Sequence, residues 1–340
     1  MKAGLLFLTM GVACCFFCTG KPSDQLTKYT LTGYAQGTDY LVTYYAADSC
    51  IVKSAIDSIL NVIDRSMSLY KPHTLINEIN EGGAGRFALD AHFYNVLKKS
   101  FAIYKDSKGI FDVTVAPLVQ LWGFGAKAVD HFPDSSEVRQ VLRCVGMDQI
   151  KLRGRQLEKK NTCTQIDVNG IAQGYSVDVL ATYLEDHGIR HYVVEVGGEL
   201  RVKGPKPDGS PMRIGIERPL DDGSRATVIN DIVEIQNGAI TTAGSYRKYL
   251  QDGKHQFSHH ISPKTGYPFD TPIVSATIYA KDAMTADGYD NVIMAMEEDE
   301  AIAFVNKRKD LEVLIIYKDA SGLMRESMSN GFKKLLANNK

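Results

Sequence analysis

The sequence is short of one-sided features. Its 39 lysines and arginines nearly balance its 40 aspartates and glutamates, leaving a formal net charge of −1. No basic stripe appears, so no nucleic-acid partner is expected. Beyond Cys18, no Cys-x-x-Cys pair is present. Of the six cysteines, Cys14, Cys15 and Cys18 crowd the N-terminus, and Cys50, Cys144 and Cys163 are scattered. That pattern suits neither a zinc site nor a disulfide framework. There is one tryptophan, no internal repeat and no low-complexity tract. What remains is an ordinary globular composition, 44% hydrophobic and 23% charged, in a chain of 340 residues that is ample for a large core.

The N-terminus is the exception. Lys2 precedes an uncharged run over residues 3–17, followed by Cys18 and a polar stretch. About 15 apolar residues are too few to span a membrane and right for the core of a signal peptide. A cysteine at the apolar-to-polar step suggests a lipoprotein leader over residues 1–17, with Cys14, Cys15 and Cys18 competing for the lipid. A plain cleaved signal peptide is the alternative. Residues 18–28 read as a tether, and 29–340 as the folded domain.

Along that domain, hydrophobic spacing predicts helices near 52–68, 91–107, 134–143, 172–187, 285 onward and 298–307. Hairpins are expected over 29–45 and 149–166. Strands are expected at 192–196, 199–203, 212–217, 227–236, 239–242, 273–280 and 311–317, the last with a partner in 322–333. Runs of strands between segregated helices indicate an α+β fold with mainly antiparallel sheets.

Four segments carry chemistry. The first is 285–291, Thr-Ala-Asp-Gly-Tyr-Asp-Asn. Asp287 and Asn291 are four apart, hence on one helix face, with Asp290 beside them. Oxygen donors of this kind suit a hard cation such as Mg²⁺, with Ca²⁺ also compatible; simple helix capping by acidic residues is the competing explanation. The second is 167–175, Asp-Val-Asn-Gly-Ile-Ala-Gln-Gly-Tyr, a strand-to-helix turn that would let backbone groups approach a phosphate or metal. It is neither a Walker A loop nor a dinucleotide glycine fingerprint. The third, 109–125, places Asp112 and Thr114 inside an apolar run and holds the only tryptophan, which reads as a ligand-facing strand or a buried polar pair. The fourth, 258–268, offers His259 and His260 as groups that titrate near neutral pH. Tyr70 is an aromatic at the end of the first helix, suited to stacking on a flat ring or to a core.

Each segment alone is weak, but their order is specific, and from about Gly33 to Met296 it resembles the ApbE family of FAD:protein FMN transferases. The matching stretches are Ser-Leu-Tyr-Lys-Pro from Ser68, Ile79-Asn80, Phe-Asp-Val-Thr-Val-Ala-Pro-Leu from Phe111, Leu-Trp-Gly-Phe-Gly from Leu121, and the 167–175 turn. Val-Gly-Gly-Glu from Val196, His-His-Ile-Ser-Pro-Lys-Thr-Gly from His259 and Ala-Asp-Gly-Tyr-Asp-Asn from Ala286 complete the set. The resemblance implies a T-fold-like core with FAD in a cleft. It implies flavin contacts from Tyr70, Ile110, Phe111, Asp112, Asn169, Tyr175 and Ile261. It implies a metal held by the Ala172 carbonyl, Asp287 and Asn291, with Asp290 as a further ligand. Gln36, Gln173, Ala243, Ser262 and Asn291 replace residues frequent in the family.

The activity implied is Mg²⁺-dependent transfer of FMN from FAD to a serine or threonine hydroxyl of a target flavoprotein, releasing AMP, with His259 as acid/base. The partners implied are FAD, flavoprotein subunits of membrane redox complexes, and a bacterial membrane reached from the periplasmic side through a lipid anchor. FAD hydrolysis at the same site, or FAD binding without catalysis, are the alternatives.

Overall fold

A computed structural model describes residues 26–220, 226–246, 249–252 and 255–337. The leader read over 1–17, and the tether up to residue 25, lie outside these. The first strand begins at Thr27, inside the stretch expected as tether.

Alternation along the strands builds the main sheet. Strand Thr38–Ala46 buries Tyr40, Val42, Tyr44 and Ala46, and strand Tyr192–Val196 buries Tyr192, Val194 and Val196. The two pair antiparallel with Tyr40 opposite Val196, Val42 opposite Val194 and Tyr44 opposite Tyr192. One face is therefore continuously apolar. The sheet has eight strands in the spatial order Thr27–Ala35, Thr38–Ala46, Tyr192–Val196, Glu199–Lys203, Asn237–Gly244, Ile273–Ala280, Leu311–Lys318, Met324–Met328. Every neighbouring pair is antiparallel.

Helix Lys53–Met67 turns Ile56, Leu60, Ile63 and Met67 inward at three- and four-residue spacing. It joins helix Ala172–Asp186 against the apolar face, where Val177, Leu180 and Leu184 meet Tyr40, Val42 and Val194. Each such side chain contributes roughly 1.5–3 kcal/mol by leaving water. Helix Ala283–Ile293 packs on strands Asn237–Gly244 and Ile273–Ala280 and against Ala172–Asp186. A second core cluster gathers helix Ala91–Asp106, helix Leu75–Glu81 and a small sheet of Gly85–Ala88, Gln156–Lys159 and Ile150–Arg153. The opposite face of the main sheet is covered by the hairpin Met212–Pro219 with Thr227–Ile235 and by the turn at Phe332–Lys334. Among the described residues no helix is long and apolar enough to cross a membrane.

The α+β expectation, with mainly antiparallel sheets, is met, and most elements begin and end within a few residues of their predicted bounds. Three readings need correction. Residues 109–115 are not a strand: the Asp112 carboxylate accepts the Thr114 amide at 2.7 Å, a side-chain turn that competes with strand pairing. Helix Ala116–Leu121 follows directly, with Pro117 in its first turn, where a missing N–H costs nothing. Helix Leu75–Glu81 was not expected; it is seven residues long, too short for a clear period, and is capped by the Thr74 hydroxyl. Finally, Cys144 and Cys163 are joined in a disulfide across 19 residues. Nothing in their spacing marked them as a pair, because the turn that brings them together is set by tertiary packing.

Candidate functional site

Two cavities share a wall where the helix layer meets the loops. The smaller, about 160 Å³, is lined by Tyr70, Ile110, Phe111, Asp112, Asn169, Gly170, His259, His260, Ile261 and Asn291, with Phe124 and Phe269 among its apolar groups. The larger, about 450 Å³, is lined by Gln36, Asp64, Ser68, Tyr70, Lys71, Asn169, Ala172 and Gln173. Tyr70 and Asn169 belong to both. The Asn169 Nδ2 lies 3.5 Å from the Tyr70 hydroxyl, and the Tyr70 side chain is 63% exposed, leaving its ring face open to a ligand.

Local chemistry holds this arrangement. Asp112 is buried and accepts three hydrogen bonds, from the Thr114 amide at 2.7 Å, the Thr114 hydroxyl at 2.5 Å and the Met147 amide at 3.1 Å. Burial pushes its carboxyl above the usual range, while those donors pull the other way. The Thr114 hydroxyl in turn accepts the Gly146 amide at 2.7 Å. Asp112 is thus both a cavity wall and the clamp that fixes the loop behind it. On the opposite side, the Asn80 carboxamide pairs with the backbone of Ile166 as a strand would, accepting its N–H at 2.7 Å and donating to its C=O at 2.9 Å. Lys159 is fully buried and donates to the carbonyls of Ile79 at 2.8 Å and Gly82 at 2.6 Å, closing the end of the helix that carries Asn80. These bonds set the start of the 167–170 turn, where the Asp167 carboxylate accepts the Asn169 amide at 2.7 Å.

The acidic segment lies against this turn. Helix Ala283–Ile293 is capped by Asp282, which accepts the Thr285 amide at 2.8 Å. Helix capping therefore does not account for Asp287 and Asp290, which sit mid-helix and are 4% and 2% exposed. Asp287 Oδ2 accepts the Gly174 amide at 2.7 Å, so the carboxylate faces the N-terminal turn of helix Ala172–Asp186, where the dipole favours it. A side chain at Gly174 would put its Cβ 2.4 Å from the Ala283 carbonyl oxygen, so only glycine permits this approach. The Asn291 Nδ2 faces three oxygens that share its two hydrogens: Gly170 O at 3.2 Å, Asp287 O at 3.0 Å and Asp290 Oδ1 at 2.8 Å. Reversing the amide would set oxygen against three acceptors, so its Oδ1 points away from them and remains available as a donor atom.

Burial pushes Asp287 well above the usual carboxylate range, and the Glu199 charge adds to it; Asp290 is raised by burial and then by Asp287 and Glu199. Among the described residues no three His, Cys, Asp or Glu side chains converge as a metal cluster. The oxygen set proposed from sequence is of another kind: one backbone carbonyl, one carboxylate and one amide. Its chemistry fits a hard divalent cation, whose charge would relieve the crowding of buried carboxylates.

Of the flavin residues proposed from sequence, all but Tyr175 line the smaller cavity. Tyr175 is buried, with its hydroxyl 2.9 Å from His92 Nδ1, and lines neither cavity. Ala172 lines the larger cavity and Asn291 the smaller, whereas Asp287 and Asp290 stand behind the wall. Asp64, Lys71, Phe124 and Phe269 also line the cavities; Lys71 and Phe124 fall in stretches that match the family, whereas the spacing around Asp64 and Phe269 holds no signal.

Residues 36–315 match the profile of the ApbE family. The chain belongs to the ApbE family. The FAD:protein FMN transferase of Vibrio cholerae is 35% identical over 323 residues, covering 93% of this chain and 94% of its own length. That of Haemophilus influenzae is 33% identical over 318 residues, covering 90% and 91%. The solved structure of the flavin transferase ApbE from Vibrio cholerae aligns with a TM-score of 0.82 at 34% identity, over 92% of this chain and all of that one.

Two departures from the ApbE pattern have defined surroundings, and at Ser262 these explain the substitution. The Ser262 hydroxyl accepts the amides of Lys264 at 3.3 Å and Thr265 at 3.2 Å, the turn bonds an aspartate there would make. The Gln173 side chain runs toward Gly197, where a Cβ would come within 2.2 Å of its Nε2.

Proposed function

We propose that the protein transfers FMN from FAD to a serine or threonine hydroxyl of another protein, with release of AMP. The observation that carries this reading is the pair of cavities meeting at Tyr70 and Asn169 beside the Ala172, Asp287 and Asn291 oxygens. A dinucleotide is a ligand with two separate bodies joined by a charged pyrophosphate, and the two chambers match that division. Apolar Ile110, Phe111, Phe124 and Ile261 suit a flat ring.

The acceptor hydroxyl oxygen forms a bond to the FMN-side phosphorus, the bond from that phosphorus to the bridging oxygen breaks, and AMP departs with that oxygen. His259, at the wall of the smaller cavity, takes the hydroxyl proton. The Ala172 carbonyl, Asp287 and Asn291 Oδ1 would hold Mg²⁺, with Ca²⁺ as the chemically similar substitute. The ion would offset the pyrophosphate charge. Asp290 orients Asn291 through its 2.8 Å bond.

The leader over residues 1–17 supports export and lipid anchoring on the periplasmic side. The Cys144–Cys163 bridge supports an oxidising compartment. Flavoprotein subunits of membrane redox complexes are the acceptors we infer.

The test is incubation of the protein with FAD, Mg²⁺ and an acceptor fragment, followed by mass spectrometry. The expected result is an acceptor heavier by one FMN, together with stoichiometric AMP. Free FMN and AMP without an adduct would replace the reading with FAD hydrolysis. Bound FAD without either product would replace it with FAD binding alone.

A further inference from the structure

His260 takes no part in the proposed transfer, yet it is a buried titratable side chain in the cavity wall, 8% exposed. Its surroundings are specific. The Ser258 hydroxyl oxygen lies 2.8 Å from His260 Nδ1 and also accepts the His260 backbone amide at 3.2 Å. One hydroxyl thus meets both the ring and the backbone amide of His260, which fixes the ring edge at Nδ1. Burial, and next to it the neighbouring His259, hold His260 well below the usual imidazole range, in keeping with a neutral ring. The backbone is pinned as well: the Phe269 amide donates to the His260 carbonyl at 2.9 Å, and Ile261 bridges to Pro268.

A ring fixed at one edge and at its backbone is a rigid surface. The His259 ring lies on it, with centroids 4.0 Å apart and planes inclined by 38°. On another side the Phe124 ring meets His259 edge-on at 6.2 Å. Phe124 is itself tied by its amide to Val119 O at 3.0 Å. His259 is thus held by two aromatic rings, each anchored independently of it.

We propose that His260 is a positioning residue for the transfer reaction: locked by Ser258, its ring holds the His259 imidazole in the orientation needed for proton transfer. The assignment rests on the reading of His259 as the acid/base. Correct orientation of a catalytic group matters to the rate and not to ligand affinity, so the effect belongs in kcat.

The experiment uses the full chain, FAD, Mg²⁺ and the acceptor fragment, and measures kcat, KM for FAD and FAD affinity for His259→Ala, His260→Ala, His260→Phe, Ser258→Ala and the double variant His259→Ala/His260→Ala. His260→Ala is expected to lose about tenfold in kcat, the upper end of what an aromatic packing contact supplies, with FAD affinity held within about twofold. His260→Phe, which keeps a ring, should lose less than His260→Ala, and Ser258→Ala should fall between wild type and His260→Ala. In the His259→Ala background, removing His260 should change nothing further. An inactive His259→Ala beside a wild-type kcat in His260→Ala would overturn the proposal alone. So would a loss confined to FAD affinity, or His260→Phe as impaired as His260→Ala. Full turnover in His259→Ala would instead remove the acid/base reading, and the proposal with it. Where His260→Ala fails to fold, the phenylalanine and Ser258→Ala variants carry the same comparison.

Discussion

Gly174→Ala is the substitution whose consequences the structure determines most fully. In an isolated helix the change would stabilise, by about 1 kcal/mol, because alanine loses less backbone entropy than glycine. Here the added methyl carbon would sit 2.4 Å from the Ala283 carbonyl oxygen, 2.7 Å from its carbon and 2.7 Å from the Asp287 Cβ. Two of these three atoms are backbone, so no rotamer change relieves the contact, and helices Ala172–Asp186 and Ala283–Ile293 must separate. Overpacking of this kind costs about 1–3 kcal/mol. Separation also stretches the 2.7 Å bond from the Gly174 amide to Asp287, worth about 0.5–1.5 kcal/mol for a carboxyl that burial keeps toward its neutral form. Against the propensity gain, the net loss is about 0.5–3.5 kcal/mol. Urea denaturation of the variant and of Gly83→Ala reads this directly, because a Cβ at the exposed Gly83 meets nothing within 4 Å. The control should stay within about 0.5 kcal/mol of wild type. FAD-dependent transfer by Gly174→Ala should fall steeply as Asp287 is displaced. A variant as stable as Gly83→Ala would refute the close-packed account of the two helices.

Three further outcomes are expected. Asn80→Leu leaves the buried Ile166 N–H and C=O without partners and should cost about 2–5 kcal/mol in denaturant titrations; a change below about 0.5 kcal/mol would show that the clamp is dispensable. Replacing Cys144 and Cys163 together by serine opens a loop with a sequence separation of 19 and should cost about 3 kcal/mol, seen as a fall in Tm that reducing agent reproduces in the wild type but not in the variant. The raised carboxyls of Asp287 and Asp290 mean that the folded chain binds more protons than the unfolded one above the ordinary carboxyl range. Their penalty is absent below the unfolded value and grows as pH rises through the folded value. Tm of chelator-treated protein should therefore drop as pH rises through that window, and Mg²⁺ should raise Tm most at the alkaline end; a Mg²⁺ effect independent of pH would count against the buried-acid metal site.

Much of the site was legible because helical and strand periods are local. The four-residue spacing of Asp287 and Asn291 is enough to put them on one helix face, and the 167–175 turn stands out by its small residues. Tyr175 was not legible in the same way. It lies one turn into helix Ala172–Asp186, and which face of that helix meets the cavities depends on how the helix sits against its neighbours, so it ended up against His92. Asp112 and Thr114 signalled polarity inside an apolar run, but the backbone they shape is a turn, because the carboxylate satisfies amides that a strand would have paired.

Patterns of two and of three to four residues, set by the geometry of strand and helix, determined the element order, the α+β class and the oxygen-rich segments from the chain alone. Contacts between residues far apart in sequence were decided only by the tertiary structure. They include the bond from the Gly174 amide to Asp287, the Asn80 clamp on Ile166, the Cys144–Cys163 bridge and the edge of Phe124 against His259. Hydrogen bonds and ring packing act over a few ångströms, and no local period records which distant residue will supply the partner.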